Sequence, residues 1–232
     1  MLRPLPNSRS KKDLVYDQLR TAILQVQLEP GQRLVIDELA KQLGVSQIPI
    51  REALLHLQAD GLVTIEPYVG ARVAELDVCL VMEVFQLLEA LEIISGKCAA
   101  ERLADADFDE IERLLKSMDS HIHDLDRWSQ QNVDLHLLIC DRAGMPLVKS
   151  AMRSALEHWE RLRRFYLGDV FAHRVSEAQQ GHWDLLAALR TRDPVQIEAV
   201  ARRHNHAAQG AYEKHLSQAG QLADCGPIRP SA

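Results

Sequence analysis

Residues 28–73 read LEPGQRLVIDELAKQLGVSQIPIREALLHLQADGLVTIEPYVGARV, and this stretch decides the fold of the N-terminal part of the chain. Gly44 separates a short apolar pattern from a longer one, which predicts two helices with a stop between them. Ser46 is well suited to cap the second helix, and Pro49 falls within its first turn, where a missing N–H costs little. Two helices joined by a turn of three or four residues predict a helix-turn-helix.

The flanking sequence extends this module in both directions. Residues 13–27 predict a preceding helix, with an inward stripe formed by Leu14, Leu19, Ala22, Ile23 and Val26. The helix after Gly44 carries four residues inward, Ile50, Ala53, Leu54 and Leu57. The sequence also predicts a small β-hairpin of the kind that forms a wing. Its strands are residues 62–65 and 71–74, and the turn between them ends at Gly70.

The sequence changes character near residue 75. Beyond it Gly and Pro become rare until residue 219, and helical periodicity runs almost throughout, as in Phe108, Ile111, Leu114, Leu115 and Met118. We therefore predict a mainly α protein. A winged helix-turn-helix with a small β-hairpin wing spans residues 10–75, an all-α antiparallel helical bundle spans residues 77–218, and residues 219–232 form a disordered tail.

Composition narrows the possible functions. The 232 residues carry 27 Lys+Arg and 33 Asp+Glu, a net charge of −6, so the chain is not basic throughout. The sequence contains no run of about 18 uncharged apolar residues, so we expect no membrane span. The first residues include basic ones but no apolar stretch after them, so we expect no signal peptide there. The cysteines form no CxxC pair, which predicts thiols in a reducing, cytoplasmic compartment rather than a disulfide framework. They are Cys79, Cys98, Cys140 and Cys225.

The stretch around residues 10–75 closely resembles the winged-helix domain of the GntR family of bacterial transcription regulators. The pieces that carry the resemblance are the PG turn, ELA-x-x-LGVS, P-I-REAL, the L-x-x-x-GL run and the wing glycine. The resemblance implies that the third helix enters the major groove of DNA while the wing meets backbone or minor groove. The DNA-binding residues that it indicates are Ser46, Gln47, Pro49, Arg51, Gly70 and Arg72.

Two departures from the family pattern concern DNA recognition. Gln47 stands where many members have Arg, and Val69 stands where the wing commonly has a basic residue. An amide side chain is able to bond bidentately to adenine N6 and N7, so Gln47 is interpreted either as a base reader or as a passive surface residue. Arg51 is expected to contact phosphate or guanine.

Histidines offer a candidate metal site in the second part of the chain. Asn132 and His136 are four residues apart and therefore share a helical face, while His182 and His204 lie on later helices. Three imidazoles that converge in a helical bundle suit a divalent ion such as Zn or Ni. Periodicity alone does not select these residues, because His204 and His206 lie on different faces and spacing does not choose between them.

Residues from about 77 to 216 resemble the FCD ligand-sensing domain of the FadR-type GntR subfamily. The shared pieces are D-x-x-x-x-x-E-x-x-x-x-LEALE, N-x-x-x-H followed by GMPLV, and GHWDLLAALRTRD followed by a His-containing helix. The resemblance implies a metal bound beside an effector cavity, with ligands at the positions of Asn132, His136, His182 and His204. Asn132 replaces the usual Asp with a neutral, poorer ligand, so a metal-free polar pocket is the alternative.

The resemblance also implies a small organic acid as effector. Arg161 and Arg163 in the segment HWERLRRFY are candidates to hold its carboxylate, although a solvated face paired with Glu157 or Glu160 is the alternative. Since arginines two apart point to different sides of a helix, we do not expect both to face inward.

The predicted function is a homodimeric, ligand-responsive transcriptional regulator, a repressor or an activator, on a pseudo-palindromic DNA operator. No enzymatic activity is expected. Two alternatives stay open. One is a constitutive DNA-binding regulator with a degenerate pocket, and the other is a metal-dependent enzyme fused to a DNA-binding domain.

Overall fold

The computed structural model describes residues 10–166 and 168–220, which fold into two units, one up to Leu76 and one from Asp77. The predicted fold class is confirmed, since the described residues are mainly helical with one small sheet. The elements of the N-terminal unit are α1 (Lys11–Leu24), β1 (Arg33–Leu34), α2 (Ile36–Leu43), α3 (Gln47–Ala59), β2 (Val63–Glu66) and β3 (Gly70–Val73).

The buried stripe of α1 differs from the predicted one. Val15, Leu19 and Ile23 are buried at a strict four-residue spacing, whereas Leu14 is half exposed. The i, i+4 row keeps one face toward α3, against which α1 packs, and Leu14 lies outside that row. Val26, which we also expected to face inward, lies beyond the end of the helix with a positive φ of 56°.

The turn between α2 and α3 follows the sequence expectation. Gly44 ends α2 in the left-handed region, with φ 65° and ψ 34°, where a side chain would be strained. Ser46 occupies the N-cap position of α3, but its side chain makes no capping hydrogen bond. The inward residues predicted for α3 are all buried, namely Ile50, Ala53, Leu54 and Leu57.

The wing belongs to a three-stranded antiparallel sheet with the order β1-β3-β2. Val63 pairs with Val73 and Ile65 with Ala71, which turns the apolar residues of both strands toward the helices. The pairing of Arg33 with Arg72 adds β1, a strand that the sequence analysis missed because two residues show no periodicity. A non-glycine residue, Tyr68, takes a φ of 65° in the turn between β2 and β3.

The C-terminal unit is a helical bundle around one long apolar helix. Its elements are α4 (Val78–Ala100), α5 (Asp105–Ser120), α6 (Leu125–Ala143), α7 (Pro146–Phe165), a 3-10 turn (Phe171–His173), α8 (Val175–Thr191) and α9 (Pro194–Gln218). Helix α4 packs against α6, α7 and α9, and α5 packs against α6 and α8. Gly96 lets α9 approach α4, since a Cβ there would lie 3.0 Å from a side-chain carbon of Ile197. The tail predicted over residues 219–232 lies outside the described residues from residue 221 onward.

Two further sequence expectations concern membranes and cysteines. In the described part of the chain, every helix is too short or too polar to cross a lipid bilayer. Cys98 and Cys140 are free thiols as expected, whereas the expectation is wrong for Cys79, which is disulfide-bonded. Cys225 lies outside the described residues.

Candidate functional site

The outer face of α3 presents a mixed surface at its N-terminal end. Gln47, Ile48 and Arg51 are exposed there, whereas Pro49 is buried against the rest of the unit. Because the first turn of a helix also carries backbone N–H groups without intrahelical partners, this end suits contact with phosphate oxygens. Because Pro49 is buried, its side chain does not face the outer surface of α3, and its role in DNA binding stays a prediction.

Two hydrogen bonds hold the Gln47 side chain in place. Its Nε2 donates to Oδ1 of Asp37 on α2 at 2.5 Å, and its Oε1 accepts from Nη2 of Arg51 at 3.4 Å. The amide therefore links α2 to α3 and contacts the Arg51 side chain one turn further along α3. A bidentate contact from Gln47 to adenine would have to replace both of these bonds.

The remaining predicted DNA-binding residues lie at the start of α3 and on the sheet. Ser46 is exposed, and its hydroxyl is not used for capping. Gly70 is exposed at the start of β3 with a φ of 105°, where only glycine fits without strain. Arg72 is exposed one residue beyond the inward-facing Ala71, and its Nη1 donates to the carbonyl of Gly31 at 3.1 Å.

A small cavity of about 40 Å³ lies within the C-terminal unit, enough for a few water molecules. Helices α4, α6, α7, α8 and α9 line it together with the segment that precedes α8. Its lining combines apolar residues such as Phe85, Leu88 and Trp159 with polar residues such as Asn132 and Arg174. Pockets of this composition, apolar with a few convergent polar groups, are the usual sites for small ligands.

Three imidazoles from three helices cluster beside this cavity. His136 on α6, His182 on α8 and His204 on α9 offer ligand atoms that all lie within 4.8 Å of one another. His182 and His204 are adjacent, with ring centroids 4.9 Å apart, and His136 lies 5.5 Å from His182. Two nitrogens bound to one tetrahedral zinc ion lie about 3.4 Å apart, so the three rings would have to move closer together to share an ion.

The local packing makes these imidazoles available as ligands. Burial lowers the pKa of His136 to about 3 and that of His182 well below its usual value. The rings are therefore neutral at pH 7, which is the form that binds metal. Both ring nitrogens of the buried His182 lack a hydrogen-bond partner among the described residues, an arrangement that normally costs stability. A bound cation would engage one of them, so this donor set fits a metal.

Asn132 lines the cavity one helical turn before His136 and is buried. Across from it lies Glu92 on α4, whose Oε1 is 3.6 Å from Nδ1 of His136 and whose Oε2 accepts from Asn205 at 2.9 Å. Burial raises the pKa of Glu92 to about 8. At neutral pH the contact between Glu92 and His136 therefore joins two uncharged groups rather than an ion pair.

The arginines proposed to hold an effector carboxylate lie elsewhere. Arg161 and Arg163 are both buried, contrary to the expectation for residues two apart, because α7 is covered by α4 on one side and by α6 on another. Arg163 donates to Glu160 and Asp126 at 2.7 Å. Neither arginine is among the described residues that line the cavity.

Arg174 and Tyr212 are cavity residues that the sequence analysis missed. Arg174 bonds to Glu177 at 3.2 Å and also lines a groove outside the cavity, as does His204. The Tyr212 hydroxyl is buried and has no hydrogen-bond partner among the described residues. Nothing in the sequence around Arg174 marks it, since it lies at the junction between the 3-10 turn and α8, where no helical period applies. Glu92 was detectable, because it continues the buried face of α4 after Phe85 and Leu88.

Known proteins match both units of the chain. Residues 11–73 match the family described as bacterial regulatory proteins, gntR family, and residues 83–207, over half of the chain, match the FCD domain. An uncharacterized HTH-type transcriptional regulator in an unstable DNA locus of Streptomyces ambofaciens is 28% identical over 216 residues, covering 93% of this chain and 91% of that protein.

Two further relatives come from Escherichia coli K12. The HTH-type transcriptional regulator McbR is 28% identical over 171 residues, which cover 72% of this chain and 76% of that protein. The HTH-type transcriptional repressor RspR is 24% identical over 192 residues, with coverage of 82% and 83%. The solved structure of E. coli McbR/YncC has a TM-score of 0.67 at 24% identity and covers 90% of this chain and 100% of that chain, a likeness in fold.

Proposed function

We propose, from the premise that this chain belongs to the GntR family of bacterial regulatory proteins and carries an FCD domain, that its DNA binding responds to a small anionic metabolite. The family makes it a DNA-binding transcriptional regulator. The response to a metabolite, the metal that assists it and the residues involved are our proposal. The observation that carries the proposal is the cluster of neutral imidazoles beside a cavity, with His182 lacking any hydrogen-bond partner among the described residues.

The cluster supports binding of a divalent cation. His136, His182 and His204 would hold the ion, and Asn132, one turn from His136 on the cavity wall, would add a neutral oxygen ligand. A bound divalent ion would supply a positive charge to attract an anionic ligand. Because Asn132 brings no negative charge, we expect weaker cation affinity than an aspartate at the same position would give.

The effector that suits this cavity is small and carries a carboxylate. Arg174 brings a guanidinium to the cavity wall, and its present partner Glu177 is an exposed residue that an incoming carboxylate could replace. Tyr212 adds a buried hydroxyl without a partner among the described residues. The volume of about 40 Å³ limits the effector to a few non-hydrogen atoms unless the Arg174 side chain moves outward.

We further propose that the protein acts in the cytoplasm as a homodimer. A two-fold axis would set two α3 helices about one turn of DNA apart on a pseudo-palindromic operator. The effector would then favour one arrangement of the two winged helices over another. It shifts that equilibrium only by the difference between its affinities for the two arrangements.

Two other functions predict different behaviour. In a constitutive regulator the cavity would bind nothing, and the neutral Asn132 gives that alternative its basis. In a metal-dependent enzyme the effector would be converted. Chemical analysis of the effector recovered after incubation separates the enzyme from the sensor, since we expect no enzymatic turnover.

The test is a thermal-shift screen of the full chain against Zn²⁺ and Ni²⁺, each with and without a panel of small carboxylic acids. A ligand at about 100 times its Kd raises the free energy of unfolding by roughly 2.7 kcal/mol. His182→Ala should abolish the shift with metal. His206→Ala is the matched control, because His206 is exposed on α9 and pairs with Glu89 at 2.9 Å. No shift with any metal or acid would favour the constitutive regulator.

A further inference from the structure

Exposed apolar side chains of the N-terminal unit concentrate on two elements. Among its described residues five large apolar side chains are exposed, and four of them lie on α3 or on the turn between β2 and β3. These four are Ile48, Leu55, Tyr68 and Val69. Single apolar residues scattered over a surface are ordinary, but a concentration on the helix and wing of a DNA-binding module indicates a contact surface.

Of these four residues, Ile48 is the one that lies at the N-terminal end of α3. It is the second residue of α3, it is 67% exposed, and it lies one turn before Arg51 on the outer face. In helix-turn-helix proteins the N-terminal residues of the recognition helix meet base edges in the major groove. Leu55 is also exposed, at 57%, but lies two turns further along the helix.

The polar neighbour of Ile48 is already engaged. Gln47 donates to Asp37 and accepts from Arg51, so contact with a base would have to replace bonds that it makes in the free protein. Ile48 loses no polar contact when it meets DNA. In the major groove the apolar group that a base pair presents is the C5 methyl of thymine, so an isoleucine at this position matches thymine and no other base.

We propose that Ile48 reads the methyl group of one thymine in each half of the operator. This inference rests on the proposed function, in that the chain must select a duplex sequence. The contact gains free energy by removing apolar surface from water and releases no counterions. Its contribution is therefore the same at low and high salt, unlike that of an arginine on a phosphate.

The experiment uses the full chain and the duplex that it selects from random sequences. Each thymine of that duplex is replaced in turn by deoxyuridine, which lacks only the methyl group. At one thymine in each half-site, wild type should lose about fourfold in affinity, the effect of exposing one methyl group. Ile48→Ala should bind the parent duplex more weakly and lose nothing further at that thymine.

Leu55→Ala is the matched control, because it truncates an exposed apolar residue of the same helix. It should keep the full penalty for deoxyuridine. The affinity lost by Ile48→Ala should be the same factor at two salt concentrations, whereas Arg51→Ala should change the salt dependence if Arg51 contacts phosphate. Circular dichroism of the variants checks that the helices are intact.

The outcomes separate this inference from the function on which it rests. If the chain selects no duplex, sequence-specific regulation and the role of Ile48 are both wrong. If it selects a duplex but wild type tolerates deoxyuridine at every position, only the inference about Ile48 is overturned. The same conclusion follows if Ile48→Ala retains the wild-type penalty.

Discussion

Replacing Gly181 by alanine tests the imidazole cluster at a residue that binds nothing itself. Gly181 lies in α8, one residue before His182, and a Cβ on it would lie 2.4 Å from Nδ1 of His204. Ordinary contact begins at 3.4 Å, so the His204 ring must retreat by about 1 Å. Metal sites tolerate about 0.2 Å of error in ligand distance, so this displacement should weaken metal binding strongly.

The expected loss is 10- to 100-fold in affinity for Zn²⁺, in the range found when the support of a metal ligand is removed. The fold should survive. Alanine in place of a helical glycine contributes about 1 kcal/mol of stability, and the clash costs about 1–3 kcal/mol. The free energy of unfolding should therefore fall by no more than about 2 kcal/mol.

Isothermal titration with Zn²⁺ measures the effect, and Gly210→Ala supplies the control. Gly210 lies in α9, where a Cβ would have no neighbour within 4 Å among the described residues, so its alanine variant should bind Zn²⁺ like wild type. Wild-type affinity in Gly181→Ala would refute the reasoning about the cluster. Unchanged affinity in His204→Ala would show that His204 is not a ligand at all.

Three further substitutions address strain, burial and charge. Tyr68→Gly should raise the free energy of unfolding in urea by about 1 kcal/mol, since φ 65° strains a tyrosine, while weakening DNA binding in a gel-shift assay. Arg163→Leu should lower the free energy of unfolding by about 2–3 kcal/mol in the same assay, because Arg163 is buried in its ion pair. The more exposed Arg164→Leu should lower it by less than about 1 kcal/mol, and equal losses would contradict a structural role for Arg163. The hydrogen bond from Arg163 holds the pKa of Asp126 below its usual 3.8, so the pair stabilises the fold above about pH 4 and less as pH falls. Asp126→Asn should therefore cost less than about 1 kcal/mol at pH 6 and progressively less as the pH falls below about 4, and a cost independent of pH would contradict the pair.

Periodicity and turn chemistry predicted the elements of the N-terminal unit because they act locally. Gly44 marked the end of α2, and the inward residues of α3 repeat at helical spacing. Strand β1 was missed because its two residues are fixed by pairing with β3, which is a long-range contact. The exposure of Leu14 was missed because the exact face of α1 depends on where α3 packs.

The cavity was predictable only in part. The family resemblance selected His136, His182 and His204, and the structure brings these three together. The resemblance could not indicate Arg174, which reaches the cavity from the junction between the 3-10 turn and α8, and the position of that junction depends on the packing of the surrounding helices. The expectation that Arg161 and Arg163 would not both face inward was wrong. Helical spacing indicates which residues share a face of α7, but it does not indicate how many faces of α7 other helices cover.

The packing around His182 gives the protein its own optical probe. The indole of Trp128 lies stacked on the His182 ring, with centroids 5.6 Å apart, and its Nε1 donates to Gln179 at 3.0 Å. A paramagnetic ion such as Co²⁺ bound by the imidazoles would quench the emission of this tryptophan, whereas diamagnetic Zn²⁺ would leave it bright. Occupancy of the site could then be followed in real time, without a label and in the presence of DNA.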